Sequence, residues 1–290
     1  MIYLLFSILA STLIFVVFKL FSRYKVNTLH AIVVNYITAC VSGLIAFSQP
    51  IVFTDIPKFS WFFHTLGLGA LFIGIFYLMA VTTQRSGLSV VSVATKMSVV
   101  IPIVFGLLYY KESLGWSKGI GILLALIAVF LASVKDTRGL SMKNSNLILP
   151  LLVFLGSGII DTSIKYLEES YVLETDVPLF SATIFGAAAS IGLVILLIQK
   201  SQGRFRFAFK NVIGGIALGI PNYFSIYFLV KALRSGIFES SGIFTINNVA
   251  IVMLSTLVGI IMFREKLLVK NWVGIILAVI SIFLVASGNL

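Results

Sequence analysis

The chain has 290 residues, of which 59% are hydrophobic and only 11% are charged. Soluble domains carry about 25% charged residues, and a soluble fold of this length could not keep so much apolar surface from water, so an ordinary soluble domain is excluded. The formal net charge of +11 does not point to nucleic acid, because the basic residues stand in short clusters between apolar runs and form no stripe or nucleic-acid-binding module.

A helical membrane crossing needs about 20 mainly apolar residues, and runs of that kind follow one another along the chain. Crossing 1 covers Ile2 to Phe21. No basic segment precedes it and no small-residue cleavage site follows, so it is expected to be a retained helix rather than a cleaved signal. Crossing 2 covers Thr28 to Ser48 and holds Asn35, Tyr36 and Cys40. The cysteine is the sole one in the chain, which excludes a disulfide framework and leaves a small buried hydrophobe. Crossing 3 covers Ser60 to Thr82. Crossing 4 covers Gly87 to Tyr110, with Lys96 and Pro102, and crossing 5 covers Trp116 to Val134. A polar stretch from Lys135 to Asn146 follows, the best linker candidate. Crossing 6 covers Leu147 to Leu167, with Asp161 and Lys165, and crossing 7 covers Val177 to Gln199. Crossing 8 covers Val212 to Leu233, with Pro221, Asn222 and Tyr223. Crossing 9 covers Ser240 to Phe263, with Asn247 and Asn248, and crossing 10 covers Trp272 to Ser287. Barrel strands would be about ten residues long and alternate in polarity, which these runs do not.

The two halves resemble each other. Glu112 to Ser133 and Glu265 to Ala286 keep a constant offset and share nine of twenty-two positions, and each follows a similar dipeptide, Tyr110-Lys111 and Phe263-Arg264. The segment from Tyr77 to Gly87 likewise matches that from Tyr227 to Gly236. The sequence therefore predicts a repeat over residues 1–135, a linker over 136–146 and a second repeat over 147–290. Five crossings per repeat is an odd number, so the second repeat enters from the opposite side and the two are inverted. Inverted repeats are a common plan of secondary transporters, which hold substrate near the midplane between them. The expected fold is an all-α polytopic membrane protein with about ten transmembrane helices.

Loops after the odd-numbered crossings hold fourteen basic residues and the other side five. Charge alone therefore places both termini outside the cytoplasm.

Polar groups at membrane depth are costly and mark candidate function. Lys96 lies roughly 14 Å of helix rise from either interface, too far to snorkel with ease. It needs a carboxylate, a water-filled cavity or an anionic ligand. Asp161 is the sole acid deep in a crossing, and a Lys96–Asp161 pair bridging the repeats is the economical expectation. A permanent staple between helices and a transport role both stay open for it. Lys165 follows Asp161 by four residues, on the same helix face. It sits near the end of crossing 6, where snorkelling competes with a site role, and its counterpart in crossing 1 is Lys19. Pro102 and Pro221 each remove a helix hydrogen bond and free a carbonyl beside polar residues, as hinges or as packing kinks. Asn35, Asn222, Tyr223, Asn247 and Asn248 complete the candidate substrate-binding set. Gly115-x-x-x-Gly119, Gly215-x-x-x-Gly219 and Gly186-Ala-Ala-Ala-Ser190 are expected to be close helix contacts.

Together these features resemble the drug/metabolite transporter (DMT) superfamily, in its ten-helix EamA branch. The resemblance rests on the duplicated five-helix half and on Lys96-Met-Ser-Val-Val-Ile-Pro102 followed by Tyr110-Lys-Glu-Ser-Leu114, matched by Phe263-Arg-Glu-Lys-Leu267. It implies that crossings 1 to 4 and 6 to 9 surround a central cavity, with crossings 5 and 10 peripheral. It also implies cytoplasmic termini, against the charge count. Its members move amino acids, sugars and other metabolites, so it leaves the solute open.

The expected function is a secondary transporter moving an amino acid-, carboxylate- or sugar-like metabolite by alternating access. Its substrate is expected to be anionic or zwitterionic, with protons as an optional coupling ion through Asp161. The expected location is a bacterial cytoplasmic (inner) membrane, as a monomer or homodimer in contact with the lipid bilayer. A lipid or lipid-linked-sugar flippase is the competing reading. An intramembrane enzyme would need a nucleophile with a base or metal ligands, and the two histidines, His30 and His64, stand near the starts of different crossings. No catalytic residue, metal site or cofactor is expected. A channel is disfavoured by the internal inverted duplication.

Overall fold

Lipid offers no partner to backbone N–H and C=O groups, so an apolar run of crossing length must bond within itself as a helix or pair into a closed barrel. The computed structural model describes residues 2–47, 54–109, 115–133, 145–233 and 240–287, and no strand occurs among them. The helices are α1 (Ile2–Arg23), α2 (Thr28–Ala46), α3 (Phe62–Ser86), α4 (Leu88–Met97), α5 (Val100–Tyr109), α6 (Trp116–Ser133), α7 (Ser145–Tyr171), α8 (Val177–Ser201), α9 (Phe209–Leu233), α10 (Ser240–Phe263) and α11 (Val269–Ser287). Segments α4 and α5 are two parts of the fourth crossing, so α6 is the fifth crossing and α11 the tenth. Eight crossings are long and apolar enough to span a membrane, and α6 and α11 add shorter apolar stretches. The protein is an all-α, multi-pass membrane protein.

Two departures from the apolar runs have clear causes. The fourth crossing is not one helix, for reasons given with the site below. Helices α3 and α7 outrun their apolar segments by about a turn, because polar residues at an interface can stay helical once the chain has left the hydrocarbon. Asn27 fixes the start of α2, its side chain accepting from the His30 N–H, as an N-cap does.

Successive crossings alternate in direction. The ends of α1, α3, α6, α8 and α10 therefore share one face of the membrane with the starts of α2, α4, α7, α9 and α11. This basic face carries Arg23, Lys25, Arg85, Lys200 and Arg264. The start of α1 and the end of α11 lie toward the other, terminal face. Helices α1 to α4 pack mainly on α7 to α10, whereas α6 and α11 pack on one another at the side.

Lipid tails are as apolar as leucine, so helices here associate by close packing rather than by escape from water. The α2–α9 contact shows how. A Cβ on Gly215 would fall 2.4 Å from the Val34 Cβ and 2.6 Å from the Ala31 carbonyl oxygen, and one on Gly219 would fall 2.7 Å from the Asn35 carbonyl oxygen. Only glycine allows that approach. Gly186 faces the Cys40 Sγ, and Gly69 takes the backbone at Ala187 and Ala188. Gly115 and Gly119 correct the expectation: a Cβ on either meets nothing within 4 Å. Their spacing marks a small-residue face, but no described residue covers it.

Candidate substrate site

Pro102 shapes the fourth crossing. It has no N–H to donate back to the Ser98 carbonyl one turn earlier, and its ring crowds that carbonyl. The chain gives up the α-helix at Ser98 and Val99. The Ser98 carbonyl instead accepts from the Ile101 N–H at 2.9 Å, three residues on, and Val99 accepts from Ile103 at 3.3 Å. The break frees the Ser98 side chain to donate to the Thr95 carbonyl and, at 3.5 Å, to face the Asp161 carboxylate on α7.

Lys96 is half-buried on the last turn of α4. Asp161 is the charge that acts on it, yet the expected direct pair is not made. Among the described residues no carboxylate oxygen comes within 4.0 Å of its ammonium nitrogen. The sequence could place both groups at membrane depth, but the rotation of two separate helices and the intervening Ser98 set their distance.

Asp161 is exposed while it sits deep among the protein's atoms. The helix wheel resolves that combination. The exposed apolar residues of α7, Ile148, Leu151, Leu152, Leu155 and Ile159, form one lipid-facing stripe. Asp161 lies roughly 135° around the helix from the middle of that stripe. It therefore opens inward. Ser157 and Ile164, at i−4 and i+3, share its face. Ser157 is 6% exposed and its hydroxyl has no hydrogen-bond partner among the described residues. Ile164 lines a small apolar cleft with Phe72, Val177, Phe180, Ser181, Ile184, Phe185 and Ile226. The cleft belongs to the terminal-face half of the protein, between α3 and helices α7 to α9. None of the residues proposed from sequence lines it, and Asp161 is one turn away.

A second polar group joins α2 to α9. Asn222 Nδ2 donates to the side-chain Oδ1 of Asn35 at 3.2 Å, and both side chains are buried. The Asn35 amide nitrogen has no partner among the described residues. Beside it, fully buried Tyr36 donates to the Phe72 carbonyl at 2.8 Å and packs on the Phe72, Phe76 and Phe185 rings, two of which line the cleft. Helix α9 runs unbroken through Pro221, so this proline, unlike Pro102, opens no gap. Just beyond it the Ser225 hydroxyl donates to the Asn222 carbonyl, and Ser7 on α1 donates to the Ser225 carbonyl. Tyr223 is half-buried and stacks on Tyr227. On α10, Asn247 is 2% exposed and its side-chain oxygen has no partner among the described residues, whereas Asn248 is half-buried. The Lys165 side chain lies outside the described residues.

Sequence reasoning missed a third group. Lys19 on α1 pairs with Glu265, from the loop between α10 and α11, at 3.3 Å. Glu265 was visible in the repeated motif and Lys19 among the loop cations, but nothing in a linear sequence joins them.

Residues 1–134 match the EamA-like transporter family. A protein of Haemophilus influenzae described as uncharacterized is 32% identical over 291 residues, covering 97% of this chain and 96% of that protein. The chain belongs to the EamA-like transporter family. It is therefore a membrane transporter of the DMT type, in contact with the bilayer and with a small-molecule substrate. A solved crystal structure covers 96% of this chain and 95% of its own at a TM-score of 0.59, with 13% identity. That likeness concerns the fold alone. The family match spans the first five crossings, the same half that carries Lys96 and the Pro102 break.

Proposed function

We propose that this EamA-like protein is a secondary carrier that moves a small anionic or zwitterionic metabolite by alternating access. The moving units are the repeats 1–135 and 147–290, joined by the linker 136–146, in a bacterial inner membrane. The observation that carries the reading is Lys96. It is a cation at membrane depth without a carboxylate in contact among the described residues, facing an inward-opening Asp161. A cation so placed is costly unless something neutralises it during the cycle. A carboxylate or phosphate on the solute does so, and Asp161 offers an electrostatic counterweight when the solute has left.

Asn35, Asn222, Asn247 and Asn248 supply amides for the neutral parts of the solute, while Ser157 and Ser98 flank Asp161. The apolar cleft toward the terminal face supports a solute with a hydrocarbon portion. Pro102 serves as a hinge, since the α-helix is already interrupted there and the Ser98 carbonyl has exchanged its α-helical donor for the Ile101 N–H. Asp161 is the residue through which protons couple to transport, if the carrier is proton-driven.

The test is uptake by liposomes holding the purified protein or its Lys96→Ala variant. Labelled amino acids, small carboxylic acids and sugars are offered as separate pools. The carrier reading expects uptake of an acid-bearing pool by the native protein and at least a tenfold loss in Lys96→Ala with folding retained. Equal uptake by the two proteins would reduce Lys96 to a staple between helices.

A further inference from the structure

Two turns on the basic face stand against each other. One joins α1 to α2 and holds Arg23, Tyr24 and Lys25. The other joins α8 to α9 and runs Gly203-Arg204-Phe205-Arg206-Phe207-Ala208 before α9 begins with Phe209 and Lys210. Both are fixed by the way their helices end. The Val26 N–H donates to the Phe21 carbonyl and the Arg204 N–H to the Gln199 carbonyl, each at 2.9 Å. Lys25 and Gly203 precede those donors, at φ +52° and +69°. This left-handed cap closes an α-helix, and glycine fills it at least cost. In the first turn a cation stands there instead.

The second turn is also clamped from the side. The Phe205 ring stacks on the His30 ring with centroids 5.0 Å apart. His30, 6% exposed in the first turn of α2, meets the Gln199 and Asn211 side chains at 3.2 and 3.3 Å. Lys210 donates to the Tyr24 carbonyl at 3.4 Å, and the Asn27 N–H donates to Asn211 Oδ1 at 2.9 Å. The two turns, one from each half of the chain, thus form one surface.

That surface presents charge and aromatic rings. Residues 22–28 and 199–211 contain six cations, Arg23, Lys25, Lys200, Arg204, Arg206 and Lys210, and no acid. All six are exposed, and among the described residues no carboxylate oxygen lies within 4.0 Å of their charged nitrogens. Between the cations, Phe207 and Phe209 are 71% and 68% exposed. Such a surface fits a partner that is anionic at one level and apolar just below it.

The helices show where those levels are. Phe209, Ile213, Ile216 and Ile220, at i, i+4, i+7 and i+11, are all exposed and share one side of α9. In a bilayer this stripe faces lipid, and Phe209 stands at its end, where hydrocarbon gives way to headgroups. Helix α8 brings the chain to the same boundary with Leu193, Val194, Leu197 and Ile198 exposed. Basic segments beside membrane helices attract anionic headgroups. Phenylalanine beside them settles at the boundary between headgroups and acyl chains.

We infer that the α8–α9 turn, with Arg23 and Lys25 beside it, binds the phosphate headgroup of an anionic phospholipid in the leaflet at the basic face. Arg204, Arg206 and Lys210 are the donors to the phosphate oxygens, the planar fork of arginine suiting them best. Phe207 and Phe209 enter between the acyl chains, and His30 holds the turn in place through Phe205. Because the cations come from both halves of the chain, a bound headgroup ties the α1–α2 turn to the α8–α9 turn. The site is independent of the solute that the protein moves.

The test counts bound lipid by native mass spectrometry of the whole protein, released from micelles doped with equal amounts of phosphatidylglycerol and phosphatidylcholine of the same acyl chains. The native protein should retain phosphatidylglycerol in preference by roughly tenfold or more. The triple variant Arg204→Gln, Arg206→Gln, Lys210→Gln should hold the two lipids about equally. Lys266→Gln with Lys270→Gln removes two exposed cations from another loop of the same face and should leave the preference intact. Phe207→Ser with Phe209→Ser keeps every cation and should weaken retention of phosphatidylglycerol by roughly tenfold. That double variant carries the test if the triple variant does not fold. Phosphatidylglycerol, but neither phosphatidylcholine nor inorganic phosphate, should raise the unfolding midpoint of the native protein. No preference in the native protein would overturn the inference. A loss in the Lys266→Gln, Lys270→Gln variant equal to that in the triple variant would mean attraction to the whole charged face, and would overturn the site. An equal rise of the midpoint with inorganic phosphate would make this a site for a soluble anion and overturn the lipid.

Discussion

Asn222 on α9 donates to Asn35 on α2 across 3.2 Å at a contact that glycine has already drawn tight. The two features depend on each other. Without Gly215 and Gly219 the helices would stand too far apart for two short amide side chains to meet. Hydrogen bonds between membrane helices contribute about 0.6–2 kcal/mol. A double-mutant cycle on Asn35→Ala and Asn222→Ala, followed by thermal or denaturant unfolding in detergent, should therefore return a coupling of that size. Purely additive effects would mean that the pair does not hold α2 to α9.

The glycines give a prediction with two signs. Gly219→Ala inserts a methyl group 2.6 Å from the Thr38 Cβ and 2.7 Å from a backbone oxygen that cannot swing away. Overpacking of that kind costs about 1–3 kcal/mol. Gly119→Ala meets open space and gains helix propensity, worth up to about 1 kcal/mol. Unfolding midpoints in the same detergent should fall for the first variant and hold or rise for the second. Equal changes would show that the α2–α9 approach is looser than described.

How much of this was legible beforehand follows from what a linear pattern can hold. Hydropathy gives the crossings because lipid demands about twenty apolar residues, and α10 begins and ends where its run does. Pro102 announced a disturbance in the fourth crossing because its chemistry is local. Pro221 has the same chemistry, yet α9 stays helical through it, so the outcome depends on neighbours that the pattern does not name. Asn35 and Asn222 stood out as amides in apolar runs, but their meeting could not be read from two separate helices. Lys19 was a loop cation among others until the fold brought Glu265 to it from the far end of the chain. Lys96 and Asp161 were recognised as a charged couple, and their separation was not, because it depends on how α4 and α7 are turned.

Pro102→Ala restores the N–H that the fourth crossing lacks. The Ser98 carbonyl then regains an α-helical donor, and α4 and α5 should join into one straighter helix. Stability should hold or increase, since the ring no longer crowds the Ser98 carbonyl and an α-helical hydrogen bond replaces the one from Ile101. Uptake should fall by about tenfold, because a hinge that has become a rod no longer lets α4 move separately from α5. The check is initial uptake rate and unfolding midpoint on the same preparation. Uptake at the native rate would remove the hinge role.

Asp161→Asn separates the staple from the proton carrier. The substitution keeps the size of the side chain and its ability to accept from Ser98, 3.5 Å away, but removes both the charge that acts on Lys96 and the titratable group. If protons couple at Asp161, the variant should lose accumulation driven by an imposed pH gradient while retaining exchange of labelled for unlabelled solute at equal pH. With Lys96 freed from its counter-charge, an anionic solute should bind at least as tightly during exchange, so the half-saturating concentration should hold or fall. The check is paired assays of gradient-driven uptake and exchange in the same liposomes. Gradient-driven accumulation that survives in Asp161→Asn would move the coupling elsewhere, and loss of exchange together with folding would make Asp161 a structural partner of Lys96 and Ser98.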